Sequence, residues 1–252
     1  MKKTILITGA TSGIGEAMAY NFFKKGYNLI LFYRKKIKIK KWQKNNPKNV
    51  KMLKLDLSKQ KDLDKICYDI KKSKIKFDIL INNAGIYNFK ESLDFRFYDL
   101  ITEFKINCFA PVLLSSSFAL QLKKRKKMGK IINITSFASD MPSFGRSIYA
   151  ASKAALKIFT KTLAAELAAL NLATVNGISP GVIPTNINKD IIKKNKIKLL
   201  KPISLKKFGS TDDISNYVEF LISEKSNYIN GTILDISGGK FLIQNQEDAK
   251  KK

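Results

Sequence analysis

Thr4-Ile5-Leu6-Ile7-Thr8-Gly9-Ala10-Thr11-Ser12-Gly13-Ile14-Gly15 is the stretch that decides the fold. Ile5-Leu6-Ile7 is apolar without a break, as in a strand buried on both faces. It runs straight into a turn rich in glycine, and Gly13 to Lys25 then reads as a helix with Ile14, Met18 and Phe22 on one face. Glycines there permit a tight turn and a close approach of backbone to a pyrophosphate. The helix N-terminus adds free N–H groups and a partial positive charge. The spacing is G-x-x-x-G-x-G rather than G-x-G-x-x-G. An ordinary strand–helix turn shares this look, but its place after the first strand of a βαβ unit favours a dinucleotide site.

The same alternation continues along the chain. Leu29-Ile30-Leu31-Phe32, Val50 to Leu55, Ile79-Leu80-Ile81, Ile131 to Ile134, Ala173 to Ile178 and Ile233 to Ile236 read as further strands. Tyr98 to Lys127 reads as largely helical with an interruption near Pro111, Ile148 to Leu170 as a long Ala/Leu-rich helix, and another helix starts at Thr211. Apolar strands alternating with helices predict an α/β fold, with about seven strands in a doubly wound parallel sheet and helices on both faces. Residues 1–243 are expected to form a single dinucleotide-binding and catalytic domain, and 244–252 a polar, frayed tail. Lys189 to Lys207 is polar and Lys-rich and is read as a mobile flap.

Composition narrows the function. The chain has 252 residues, 44% of them hydrophobic and 10% aromatic, enough for a substantial core. It has no histidine, which excludes every His-based triad and every His-ligated metal site, and no metal is expected. Its two cysteines, Cys67 and Cys108, make no disulfide framework and read as small buried residues of a reducing compartment. Net charge is +27, from 47 Lys plus Arg against 20 Asp plus Glu. Only Arg34, Arg96, Arg125 and Arg146 are arginine. A nearly pure Lys surface fits compositional drift, and it also fits a basic surface meeting an acidic protein, a phosphorylated substrate or nucleic acid. The apolar run after Met1-Lys2-Lys3 breaks at Gly9, too short for a signal peptide, and no stretch approaches a membrane span. A cytoplasmic protein is expected, with no membrane partner.

The second strand ends Phe32-Tyr33-Arg34-Lys35-Lys36, with no acid to bind the ribose hydroxyls of NAD. Arg34 is suited to pair with a 2′-phosphate and stack on adenine, which favours NADP(H) over NAD(H). Arg34 as one more base of a basic protein is the plainer alternative.

Further motifs follow in order. Asn82-Asn83-Ala84-Gly85 comes after the fourth strand, and Asp56-Leu57 after the third. Asn107 lies mid-helix, Ser136 after Ile134-Thr135, Tyr149-Ala150-Ala151-Ser152-Lys153 gives Y-x-x-x-K, and Ser179-Pro180-Gly181-Val182-Ile183-Pro184-Thr185 follows the sixth strand. Over roughly Thr4 to Ile243 the chain closely resembles the short-chain dehydrogenase/reductase family. The resemblance implies a Rossmann-like sheet and a catalytic set of Asn107, Ser136, Tyr149 and Lys153. It also implies cofactor contacts at Gly9, Thr11, Ser12, Gly13, Ile14, Gly15, Arg34, Asp56, Leu57, Asn83, Ala84, Gly85, Tyr149, Lys153, Pro180, Gly181, Ile183 and Thr185. Asn107 would hold a water linking Lys153 to solvent.

The chemistry follows from the residue types. Tyr149 and Lys153 are four apart, so they share a helix face. A free phenol has a pKa near 10, and lowering it by about three would take roughly 4 kcal/mol. The lysine ammonium and an oxidised nicotinamide are expected to supply that and favour the phenolate. Tyr149 would then exchange a proton with the substrate oxygen as hydride moves, Lys153 would bind the nicotinamide ribose, and Ser136 would hold the substrate oxygen.

In length and layout the chain is most similar to the bacterial 3-oxoacyl-acyl-carrier-protein reductases, which implies an NADPH-dependent enzyme of fatty acid biosynthesis working as a homotetramer or homodimer. The substrate would be a small molecule or one carried on acyl carrier protein, docked near Lys123 to Lys127 with Arg125. Leu170 and Ser237 depart from that group's pattern, so a sugar, polyol or other small ketone stays open. Ala164 to Ala169 offers a small-residue surface for subunit contact, or equally for packing on its own sheet. A non-catalytic NADP sensor or nucleic-acid binder is the rival reading, disfavoured by the intact proton-relay set.

Overall fold

The computed structural model describes residues 2–34, 41–44, 46–141, 143–185, 188–240 and 242. Its strands are β1 (Thr4–Ile7), β2 (Asn28–Tyr33), β3 (Val50–Lys54), β4 (Ile79–Asn82), β5 (Gly129–Ile134), β6 (Ala173–Pro180) and β7 (Ile233–Ile236). They form one sheet in the order β3-β2-β1-β4-β5-β6-β7, every neighbouring pair parallel. The seven expected strands are all present.

The helices are α1 (Gly13–Lys24), α2 (Lys41–Lys44), α3 (Gln60–Lys71), α4 (Phe97–Phe104), α5 (Ala110–Arg125), α6 (Ser147–Ala169), α7 (Lys189–Lys194), α8 (Lys196–Leu200) and α9 (Thr211–Ile222). Ile5 and Ile7 point to the face covered by α1 and α9, with Met18, Phe22, Ile214 and Val218. Leu6 points to the opposite face with Ile66, Phe118 and Leu163 of α3, α5 and α6. The period of two along a strand thus fills two cores at once, which is why a run such as Ile5-Leu6-Ile7 has no polar position. Burying each large aliphatic side chain contributes about 1.5–3 kcal/mol.

The interruption expected near Pro111 falls just before it, in a π-helical turn over Lys105–Phe109 that contains Asn107. Pro111 sits at the start of α5 directly after this turn, where its missing N–H leaves a carbonyl of the widened turn without a helix donor. The Lys-rich segment from 189 carries α7 and α8 and packs through Ile192 and Ile203, so it is a folded element. α3 had no boundaries in the sequence reading, although Leu63, Ile66, Cys67 and Ile70 recur at helical spacing and are buried. Cys67 and Cys108 are buried free thiols. Among the described residues no helix is long and apolar enough to cross a membrane. The tail 244–252, with Lys35 and Lys36, lies outside the described residues.

Chain order reverses between β1 and β4, opening a crevice at the carboxyl ends of the strands. A buried polar network steadies the helices around it. Asn82 Nδ2 donates to Asn133 Oδ1 (2.8 Å) and Ser115 Oγ (3.1 Å), and Asn133 Nδ2 donates to Thr160 Oγ1 (2.9 Å). These bonds tie β4 and β5 to α5 and α6.

Candidate active site

The turn after β1 is shaped by glycine. Gly9 and Gly13 have φ of +63° and +55°, the left-handed region in which a side chain is strained. A Cβ on Gly15 would stand 2.3 Å from the Gly9 carbonyl oxygen and 2.4 Å from Asn83 Nδ2. Asn83 Nδ2 itself donates to the carbonyls of Thr8 (3.0 Å) and Gly9 (3.2 Å). Thr8 Oγ1 accepts from the backbone N–H of Asn83 and of Ala84, both at 3.0 Å. The loops after β1 and β4 are therefore stitched together, and Thr8 does much of the stitching. Sequence reading missed Thr8, although it stands directly before the first glycine. Ser12 precedes α1 in extended conformation without a side-chain cap, so the first-turn N–H groups of α1 stay available to an anion.

The loop after β6 closes over this turn. Thr185 Cγ2 lies 3.0 Å from where a Gly13 Cβ would be, and Gly181 packs so closely on Ser237 that a Cβ would meet its Cα at 2.6 Å. Asn188 fixes the loop by accepting from Thr185 N (2.7 Å) and donating to the Ile183 carbonyl (2.9 Å). A cleft of about 570 Å³ beside it is lined by Gly13, Trp42, Pro184 and Thr185, among others. On the other flank Arg34 is exposed at the end of β2 and acts on Asp56. Burial alone would raise the Asp56 carboxyl, but hydrogen bonds from Ser58 and the charges of Arg34 and Lys59 hold it below the usual range. Leu57 beside it is buried. Gly9, Gly13 and Gly15 thus bring the turn after β1 against Asn83, Ala84 and Thr185, and with no side chain at the three glycines the groove beside this turn fits a dinucleotide backbone.

The four expected catalytic residues also meet. Tyr149 lies in the first turn of α6, and its phenol is hydrogen-bonded to the Ser136 side chain. Ser136 caps a 3-10 turn, Phe137–Ser139, with Oγ accepting from Ala138 N at 3.2 Å. Lys153 is 3% exposed and donates to the Ile134 carbonyl at 2.8 Å. Its Nζ lies 6.0 Å from the Tyr149 ring centroid. A Cβ on Gly85 would come within 3.3 Å of that Nζ and 3.4 Å of Asn107 Oδ1, so Gly85, Lys153 and Asn107 converge. Ser152, also missed, accepts from Asn107 Nδ2 (3.0 Å) and donates to the Tyr149 carbonyl (2.8 Å).

In the protein itself burial pushes the phenol of Tyr149 up, against the Ser136 hydrogen bond and the nearby Arg146 guanidinium. Lys153 is itself depressed to about 8 by burial. Glu103, 1% exposed, accepts from Asn88 N at 2.8 Å, and burial pushes its carboxyl up. Arg125 turns inward, donating to Asp78 Oδ1 (2.9 Å) and the Phe77 carbonyl, while Lys123, Lys124, Lys126 and Lys127 are exposed.

Comparison with known proteins agrees with this geometry. The curated 3-oxoacyl-[acyl-carrier-protein] reductase FabG of Buchnera aphidicola subsp. Baizongia pistaciae is 33% identical over 245 residues, covering 96% of this chain and 98% of that one. The FabG of Aquifex aeolicus is 32% identical over 243 residues, covering 95% and 97%. Among solved structures, 4-hydroxyisoleucine dehydrogenase complexed with NADH superposes with a TM-score of 0.88 at 31% identity, over 96% of this chain and 100% of that one. L-sorbose reductase from Gluconobacter frateurii, complexed with NADPH and L-sorbose, gives 0.84 at 28% identity, over 96% and 97%. The sequence profile of the family described as short chain dehydrogenase matches residues 3–196, and with the Tyr149–Lys153 pair and the glycine turn in place on this sheet, the chain belongs to that family.

Proposed function

We propose that this protein is an NADP(H)-dependent carbonyl reductase of the cytoplasm, with residues 1–243 acting as one unit. The observation that carries the reading is the convergence of Ser136, Tyr149, Lys153 and Asn107 at the mouth of the groove. Reduced nicotinamide, when bound, supplies the hydride. Ser136 holds the substrate carbonyl oxygen, and Tyr149 gives its proton to the alkoxide as it forms. A buried phenol kept protonated suits that direction. Lys153 holds the ribose, and its position between Ile134, Gly85 and Asn107 keeps it beside the groove floor. Asn107 braces the loop after β4. The groove residues already described hold the coenzyme, with Arg34 at the end of β2, beside Asp56, to take a 2′-phosphate.

A 3-oxoacyl thioester on acyl carrier protein is the substrate supported by the sequence relatives named above. Docking would then rest on Lys123, Lys124, Lys126 and Lys127, since Arg125 is held by Asp78. A second reading, a small polar ketone or hydroxy acid, is supported by two cations beside Tyr149, Arg146 and Lys240. A homotetramer or homodimer fits the face of α6 on which Ala165, Ala168, Ala169 and Leu170 are exposed, while Ala164 and Leu167 pack inward.

The test is NADPH and NADH oxidation against acetoacetyl thioesters, sugars and simple ketones. Tyr149→Phe is expected to lower turnover by about 10²–10⁴-fold while nucleotide binding persists. Arg34→Ala is expected to cut the preference for NADPH about tenfold, ~1.4 kcal/mol. Absence of turnover on every carbonyl with either nucleotide overturns the reading.

A further inference from the structure

Two cations stand beside the catalytic pair, and among the described residues neither forms an ion pair. The Arg146 guanidinium carbon lies 5.0 Å from the centroid of the Tyr87 ring, and Tyr87 packs edge-on against Tyr149 with centroids 5.5 Å apart. Lys240 Nζ lies 3.7 Å from the ring centroid of Phe137, the residue after Ser136. Both cations are partly buried, and they act on one another. Among the described residues every ion pair lies elsewhere, and nearby Asp140 pairs with Lys157.

The placement of Lys240 is built into the fold. Gly238 and Gly239 turn the chain after β7 with φ of +69° and +73°. Ser237 Oγ accepts from Lys240 N at 3.3 Å, Ser204 Oγ donates to the Gly239 carbonyl at 2.6 Å, and Leu205 N donates to the Gly238 carbonyl at 3.1 Å. The segment holding this turn is the Lys-rich stretch that shapes the mouth of the groove.

Like charges facing one another in a half-buried cleft repel, and lost hydration adds to the cost. The cost is visible at Lys240, where burial and then the facing Arg146 push the ammonium down to about 8. Such a pair, with no ion-pair partner among the described residues, leaves free energy for an incoming anion to recover. We propose that Arg146 and Lys240 form an anion subsite beside Ser136 and Tyr149 that binds a carboxylate carried by the substrate near its reacting carbonyl. The proposal rests on the carbonyl-reductase reading and narrows its substrate to small keto acids and the matching hydroxy acids. The guanidinium fork suits a planar carboxylate, with Lys240 adding a point charge. An acyl thioester would bring a neutral chain to this place.

The experiment compares acetoacetate with methyl acetoacetate in the wild type, Arg146→Met and Lys240→Met. The wild type is expected to favour the acid at least tenfold in kcat/KM, and each variant to reduce that ratio about tenfold. In parallel, malonate serves as a non-reacting probe in thermal unfolding. It is expected to raise the Tm of the wild type and not of the double variant, and dimethyl malonate to raise neither. An acid-to-ester ratio that is equal in all three proteins, or malonate stabilising the double variant as much as the wild type, overturns the subsite. Turnover of neutral ketones or thioesters without malonate binding removes the subsite and keeps the reductase. Malonate stabilising only the wild type, with no carbonyl reduced, keeps the subsite and removes the reductase.

Discussion

Asn107 grips the backbone of Ile86 at both ends, its Oδ1 accepting from Ile86 N at 2.8 Å and its Nδ2 donating to Ile86 O at 2.9 Å. With its second amide hydrogen on Ser152, the side chain has its donors filled by protein groups. It works as a strut between the loop after β4 and the catalytic helix α6. Asn107→Ala strips all three bonds inside the protein, at about 1–3 kcal/mol for each group left unpaired. A Tm lower by several degrees and faster amide exchange at Ile86 are expected, alongside lost turnover. An unchanged Tm would show that the strut carries no load.

Gly15→Ala tests the stitched loops. The new methyl would sit 2.3 Å from the Gly9 carbonyl oxygen and 2.4 Å from Asn83 Nδ2, so backbone must move. Overpacking of this kind costs about 1–3 kcal/mol. Fluorescence titration with NADPH is expected to give a Kd at least tenfold weaker; wild-type affinity would mean that the turn has slack the distances deny.

The pH profile follows from Lys153 and Tyr149. Burial holds Lys153 at about 8, so it is charged on the acid side of that value and neutral above it. Burial also keeps Tyr149 protonated beyond its ordinary range. The rate of carbonyl reduction is therefore expected to be level below about pH 8 and to fall above it. Steady-state kcat/KM measured from pH 6 to 10 checks this, and a profile flat to the alkaline end would contradict it.

Glu103 gives a stability prediction. Burial raises its carboxyl above the ordinary value of 4.5, so the folded protein holds this proton more tightly than the unfolded chain. The contribution is fully present below pH 4.5 and is lost as pH rises through the folded value. Glu103→Gln keeps an acceptor for Asn88 N and removes the titration. The Tm difference, variant minus wild type, is expected to grow as pH rises from 4 to 8, and a constant difference would place the charge in solvent.

Much of this was legible before any coordinates. The strands were readable because burial on both faces leaves runs such as Ile79-Leu80-Ile81 with no polar position, and Tyr149 and Lys153 because four residues on a helix bring two groups to one face. Arg146 and Lys240 were not readable as partners. Nearly a hundred residues separate them, and only the β7 turn brings them to one place. The interruption near Pro111 was readable, but its π-helical form was not, because Lys105-Ile106-Asn107-Cys108-Phe109 is unremarkable for a helix. The raised phenol was missed because a lysine one turn away is visible in a sequence and lost hydration is not.

The widened turn at Lys105–Phe109 also sets a rule for length. Each residue of an ordinary helix turns the chain by about 100°. Shortening this segment by one would let the winding close up into an ordinary turn, with α4 and α5 kept in phase but the Asn107 amide carried off Ile86. Side-chain swaps along α4 therefore have latitude that a single-codon deletion lacks, even though neither touches a reacting atom.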